Sequence, residues 1–218
     1  PAGAAPAGAA PAGAAPAGAA PAGAPAPASA LAPAHRSISS VVLTAINDAG
    51  GVPPLVKLCE FGTPGGKEKA ACAMWHLAID PENQASIAAN GGIKPLVTLL
   101  ADGNDKARRH ASDAMTRLAT ENPENQAQIA KRLVGLLDHD DASVVSRAAH
   151  DLQALAQDHP GAPMVIVNAG AISPLVTVLS NGKTDEGRNE AAKTLHTLAN
   201  SGPANQLAIV VGLVALLG

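Results

Sequence analysis

Three short sequence markers recur about every 40 residues through most of this chain of 218 residues. The pair Leu-Val begins at Leu55, Leu96, Leu133, Leu175 and Leu213. A Leu-Ala pair keeps the same spacing and begins at Leu77, Leu118, Leu155 and Leu198. The motif Pro-x-Asn-Gln begins at Pro81, Pro123 and Pro203. Three markers with one period predict a solenoid, in which each repeat packs against its neighbours.

Each repeat contains three segments with a helical pattern. The first begins at Pro-x-Asn-Gln and ends near an isoleucine such as Ile87, before a Gly-Gly or Ala-Gly break. The second begins at Pro-Leu-Val, because the missing N–H of proline costs nothing in a first helical turn. We expect second helices to start near residues 54, 95, 133, 174 and 213. The third and longest segment leads to Leu-Ala, as in residues 67–78 and 187–199.

Small residues explain how a chain that is 47% hydrophobic manages with only 1% aromatic residues. Alanine occupies the same position in four third segments, where it would let helices pack closely. These alanines are Ala70, Ala111, Ala148 and Ala191. The composition therefore favours an all-α fold without a core built on aromatic side chains.

The third and fifth repeats lack the glycine break. Ile129 is separated from Leu133 by three residues, and Ile209 from Leu213 likewise, because the Gly and Pro of the longer repeats are missing. The first and second helices are therefore predicted to fuse into one helix in these repeats, over 123–137 and 203–217.

Residues 1–34 differ from the rest of the chain. They contain no charged residue, eight Pro and five Gly, and open with four copies of Pro-Ala-Gly-Ala-Ala. Proline at every fifth position prevents a regular helix, and the segment has little apolar surface to offset ordering entropy. We expect an extended or disordered low-complexity arm at 1–34, followed by the solenoid at 35–218. A secretory signal is the alternative, since residues 28–30 resemble a cleavage site, but the charged and Leu-rich parts are missing.

The segments 88–100 (AANGGIKPLVTLL), 168–180 (NAGAISPLVTVLS) and 191–200 (AAKTLHTLAN) resemble armadillo repeats. The resemblance covers about residues 37–218. It implies a right-handed superhelix of about 4.5 three-helix repeats, whose third helices line a concave groove. It also implies a non-enzymatic protein that binds extended peptides or partner proteins, as import adaptors and catenins do.

The chain departs from the import adaptors in one respect. Those proteins carry a Trp and an Asn four residues apart on the third helix. The matching pairs here are Cys72 and His76, Asp113 and Arg117, His150 and Ala154, and Lys193 and Thr197. Trp75 lies one position before the Asn site, so binding of nuclear-import signals is not expected.

Composition and motifs exclude several other functions. The net charge of -3 argues against a nucleic-acid binder, and no apolar run reaches the ~20 residues of a membrane span. Gly62–Lys67 lacks the spacing and the Ser or Thr of a phosphate-binding loop. Cys72 and His76 lie one helical turn apart, but two ligands do not complete a metal site. We therefore expect no enzyme, no cofactor and no metal, and two reduced cysteines in a cytoplasmic protein.

The candidate binding residues lie one, five and eight positions before the Leu of each Leu-Ala pair, on one face of the third helix. They are Lys69, Cys72, His76, His110, Asp113, Arg117, Arg147, His150, Glu190, Lys193 and Thr197. This mildly cationic face suits an extended or an acidic peptide, although any solenoid also needs a solvated polar face.

A second hypothesis is a structural subunit of a larger assembly, such as a filament, an axonemal complex or an organellar complex. The apolar segment 207–217 and the uncharged arm would then contact neighbouring subunits.

Overall fold

The computed structural model describes residues 38–215, which form a right-handed solenoid of α-helices without a β-strand in that range. The predicted arm at 1–34 lies outside the described residues. The helices are α1 (Ile38–Asp48), α2 (Val52–Phe61), α3 (Pro64–Leu77), α4 (Pro81–Ala89), α5 (Ile93–Asp102), α6 (Asp105–Leu118), α7 (Pro123–Leu136), α8 (Ala142–Asp158), α9 (Ala162–Asn168), α10 (Ile172–Asn181), α11 (Asp185–Asn200) and α12 (Pro203–Ala215). The all-α prediction is confirmed.

The solenoid contains both three-helix and two-helix repeats. The three-helix repeats are α1–α3, α4–α6 and α9–α11, and the third repeat is the pair α7–α8. As the missing glycine predicts, α7 is one continuous helix where the longer repeats have two. Helix α12 likewise runs unbroken from Pro203 through the last described residue. The second helices α2, α5 and α10 begin two residues before the prolines that mark them in the sequence.

A glycine with a left-handed backbone separates the first and second helices in each long repeat. Gly50, Gly91 and Gly170 have φ values of 72°, 76° and 83°. Glycine adopts this conformation at no steric cost, which lets the helix end in a tight turn. The next residue's N–H then bonds back to the isoleucine carbonyl, as from Gly92 to Ile87 at 2.8 Å. Without such a glycine, the backbone of α7 continues helically.

Each third helix begins at a capping side chain. Thr63 Oγ1 accepts a hydrogen bond from the Gly66 N–H at 3.2 Å, and Asn104 Oδ1 accepts one from the Ala107 N–H at 2.8 Å. Asp141 and Thr184 cap α8 and α11 in the same way. Such caps satisfy backbone donors that would otherwise lack a partner, which fixes where the third helices start.

The asparagines of the recurring motif are buried, and two of them join consecutive repeats. Asn125 Nδ2 donates to the Leu118 carbonyl at 2.8 Å, and Asn205 Nδ2 donates to the Leu198 carbonyl at 3.2 Å. Each amide thus bonds a carbonyl at the end of the preceding third helix. The connection before Asn83 is one residue shorter, and neither side-chain polar atom of Asn83 has a hydrogen-bond partner.

The core is a continuous strip of small and aliphatic side chains. The four alanines singled out in the sequence are completely buried, as expected for close helix packing: Ala70, Ala111, Ala148 and Ala191. Within residues 38–215, no single helix is both long and apolar enough to cross a membrane. Only α9 and α10 together meet that test of length and composition, and they form a bent pair with an angle of 84°.

Candidate functional site

The predicted binding residues all lie on the four third helices α3, α6, α8 and α11, and we call the surface that they form the groove face. Five of them are exposed: Lys69, His76, Arg147, His150 and Lys193. The others are half-buried: Cys72, His110, Asp113, Arg117, Glu190 and Thr197. Their contacts differ along the groove face, and these contacts decide which of them are available to a partner.

Trp75 joins α3 to α6. The guanidinium of Arg117 lies over its indole, 4.4 Å from the ring centroid, and Arg117 Nη1 donates to the Trp75 carbonyl at 2.9 Å. The imidazole of His110 stacks on the same indole at 5.9 Å. His110 and Arg117 are seven residues apart, about 10 Å along α6, so the indole lies between them. Trp75 and Arg117 therefore hold two repeats together, and Arg117 is already engaged within the chain.

Glu190 on α11 contacts Lys193 on the same helix and His150 on α8. Lys193 Nζ contacts Glu190 Oε1 at 2.7 Å, and His150 Nδ1 lies 3.4 Å from Glu190 Oε2. Burial acts to raise the pKa of Glu190, but the hydrogen bond and charge of Lys193, together with His150, outweigh it and lower that pKa. Glu190 thus stays ionised and is compensated by neighbours on the groove face.

Two cations of the groove face remain available. The side chain of Lys69 is 81% exposed, and its nearest carboxylate oxygen is Glu68 Oε1 at 3.7 Å. Arg147 is exposed and forms no ion pair with any residue in 38–215. The groove face has two acidic residues. Glu190 is ion-paired, whereas the half-buried Asp113 forms no ion pair within residues 38–215.

Asp151, which the sequence analysis did not select, is buried between α6 and α8. Ser112 Oγ donates to Asp151 Oδ1 at 2.6 Å, and Asp151 is only 7% exposed. Burial raises the pKa of Asp151 to about 6, against the effects of the Ser112 hydrogen bond and of His150 and Arg147. Alignment of the repeats indicates that this position is buried, because the equivalent positions in the other repeats hold the small residues Ala73, Ala114 and Thr194.

Within residues 38–215, no three His, Cys, Asp or Glu side chains come together in a way that could hold a metal ion. Cys59 is buried, and this burial raises the pKa of its thiol to about 12. Cys72 is a half-buried free thiol on the groove face. Gly62 follows the end of α2, and Pro64–Lys67 form the first turn of α3, so the glycine-rich segment is a helix end and a helix start. The groove face is a surface of separate polar side chains with the chemistry of noncovalent binding.

Comparisons with known proteins agree with this architecture. The profile of the Armadillo/beta-catenin-like repeat matches residues 43–79. The crystal structure of an engineered protein is 31% identical, with a TM-score of 0.56 over 79% of this chain and 72% of that chain. A second engineered protein is also 31% identical, with a TM-score of 0.55 over 80% of this chain and 44% of its own.

Designed proteins share the fold at lower identity. A designed armadillo repeat protein in complex with the peptide (KR)4 is 24% identical, with a TM-score of 0.56 over 79% of this chain and 74% of that chain. No curated protein sequence matches the chain significantly. The repeat profile, the solved structures and the helical repeats together show that this chain belongs to the armadillo repeat family.

Proposed function

We propose that the chain is a non-enzymatic binding scaffold whose groove face holds an extended, acidic segment of a partner protein. The armadillo repeat fold commonly mediates binding of proteins and peptides. Solved structures similar to this chain include computationally designed armadillo repeat proteins for modular peptide recognition. We assign the same role to the groove face of this chain.

The exposed charge of Arg147, which forms no ion pair within residues 38–215, is the observation that carries the proposal. The exposed Lys69, whose Nζ lies 3.7 Å from Glu68 Oε1, adds a second cation. Glu190 is compensated by Lys193 and His150, so it does not neutralise either of these cations. Carboxylates of a partner would form charge-assisted hydrogen bonds with the guanidinium. The designed neighbour with (KR)4 binds a basic peptide. The charges on the groove face of this chain favour a peptide of the opposite, negative charge.

Chemical-shift mapping with an acidic (DE)4 peptide tests where such a segment binds. The proposal predicts that shifts of amide resonances concentrate on α3, α6, α8 and α11 and weaken as salt is added, because exposed charges are screened. Shifts confined to the second helices α2, α5 and α10 would contradict it.

A structural role in a larger assembly is the second candidate, and the exposed apolar side chains of α12 favour it. Leu207 and Val211 are 66% and 59% exposed. The corresponding residues of the fused helix α7 are Ala127 and Lys131, which suit water better. Apolar residues at these two positions of α12 point to a covering neighbour rather than to solvent.

The double variant Leu207→Ala, Val211→Lys gives α12 the residues of α7. If α12 contacts a neighbouring subunit, this variant should be lost from cross-linked complexes in a cell extract, while (DE)4 binding stays unchanged. Equal recovery of variant and wild type in those complexes would remove the support that α12 gives to the assembly role.

A further inference from the structure

The four third helices do not pack evenly along the groove face. Helices α3 and α6 pack along their length, as do α8 and α11, whereas α6 and α8 touch at few places. The short third repeat lies at this position, where α7 replaces two separate helices. The junction between α6 and α8 is therefore the weakest side-by-side contact between neighbouring third helices within residues 38–215.

One buried polar contact spans this weak junction. Ser112 on α6 donates to Oδ1 of Asp151 on α8, and Asp151 Oδ2 is buried without a hydrogen-bond partner. An ionised carboxylate oxygen without a partner is unfavourable in an apolar interior. The equivalent contact between α8 and α11 is neutral, because Thr194 Oγ1 donates there to the Ala149 carbonyl at 3.1 Å.

A small void of about 10 Å³, partly open towards the exposed Thr116, lies beside Asp151. It is about the smallest volume that holds one water molecule. Apart from Ser112, Thr116 and Asp151, its walls are the apolar side chains of Met115, Ile129, Leu133 and Leu155. A water molecule in this void would find few hydrogen-bond partners when Asp151 is neutral. An ionised Oδ2 of Asp151 would instead accept a strong hydrogen bond from it. A small separation of α6 and α8 would enlarge the void and hydrate the carboxylate.

We propose that the junction between α6 and α8 is a pH-dependent hinge in the groove, closed when Asp151 is neutral and opened by entering water when Asp151 is ionised. The hinge itself does not depend on the proposed function, but its effect on binding rests on that function. Opening would separate groove residues on α3 and α6 from those on α8 and α11. A partner that spans the hinge would then bind with an affinity that depends on pH.

Charged groups around Asp151 act in both directions. His150 and Arg147 on α8 favour its ionised form, while Asp113 on α6 opposes it. Helix α7 contributes the apolar Ile129 and Leu133 to the void, and its Lys131 and Arg132 are exposed. On α11, Glu190 lies beside His150 rather than beside Asp151. Burial raises the pKa of Asp151 to about 6, which places the transition in an accessible range.

Distances between spin labels on the full chain without any peptide test the hinge directly. The labels are attached at Lys106→Cys on α6 and Ser143→Cys on α8, both exposed positions, in a Cys72→Ser background. Cys59 is 1% exposed and stays unlabelled. We expect the distance to lengthen by roughly 3 Å, one water diameter, between pH 5 and pH 8. A second pair, Lys69→Cys and Arg109→Cys across α3 and α6, should show no change.

Two variants assign the change to Asp151. Asp151→Asn and Asp151→Thr, the latter taking the residue of the fourth repeat, should keep the short distance at both pH values. His150→Asn is the control for the neighbouring imidazole and should still show the lengthening between pH 5 and pH 8, because it keeps Asp151. A distance that is constant in the wild type, or that changes equally in Asp151→Asn, would overturn the hinge. Neither result affects whether the groove face binds (DE)4, which the peptide titration decides separately.

Discussion

The guanidinium of Arg117 lies 4.4 Å above the indole of Trp75, and its Nη1 donates to the carbonyl oxygen of that same residue at 2.9 Å. One side chain of the second repeat thus binds both the ring and the backbone of the first. The sequence places Arg117 among the residues available to a partner, but this geometry makes it a link between repeats. A change at Arg117 would disturb the solenoid and any bound peptide together.

We expect the Arg117–Trp75 pair to stabilise the junction between α3 and α6. In a double-mutant cycle with Arg117→Met and Trp75→Leu, the coupling free energy of unfolding should be about 1 kcal/mol, as for partly exposed cation–π pairs. Urea denaturation of the four proteins measures it. The matched control is Arg147→Met with Trp75→Leu, which should show no coupling because Arg147 lies on α8. Additive effects for Arg117 and Trp75 would contradict the link.

Asp151 should make the stability of the chain depend on pH. Its pKa is raised from 3.8 to about 6 in the folded state, so folding favours the protonated form. The contribution of Asp151 to the free energy of unfolding is complete below about pH 4, declines between pH 4 and pH 6, and is lost above about pH 6. We expect Asp151→Asn to be more stable than the wild type by about 3 kcal/mol at pH 7.5, with the difference vanishing near pH 4.

Urea unfolding at pH 4, 5, 6 and 7.5 measures this difference. The exposed Asp158, at the end of the same helix, provides the matched control, and Asp158→Asn should leave the pH profile unchanged. A constant difference between Asp151→Asn and the wild type at all four pH values would show that burial does not raise the pKa of Asp151.

Periodic features of the sequence predict the helices, their order and the fusion in α7, because these depend on residues that repeat. The contacts between side chains of different repeats were harder to predict. The ion pair of His150 with Glu190 joins residues that are 40 positions apart, and nothing in the repeat pattern selects that pairing. The burial of Asp151 was visible only in the small residues at equivalent positions, such as Ala114.

Two glycine substitutions should have opposite effects on stability. Gly135 lies in the last turn of α7 with open space where a Cβ would be, so Gly135→Ala should stabilise the chain by about 0.5–1 kcal/mol. A Cβ at Gly92 would lie 2.6 Å from Ile87 Cγ2 and 3.0 Å from the Ile87 carbonyl oxygen, so Gly92→Ala should destabilise it. Thermal unfolding monitored by circular dichroism compares the two variants. Equal shifts in Tm would contradict the assigned turn.

The central claim, that the groove face binds an acidic segment through its exposed cations, is tested most directly by calorimetric titration of the full chain with (DE)4 and with (KR)4. We expect (DE)4 to bind and (KR)4 not to bind under the same conditions. Arg147→Glu should weaken (DE)4 binding at least tenfold, whereas Arg132→Glu, the same charge reversal at an exposed position on α7, should change it little. Preferential binding of (KR)4, or equal losses in the two variants, would contradict the claim.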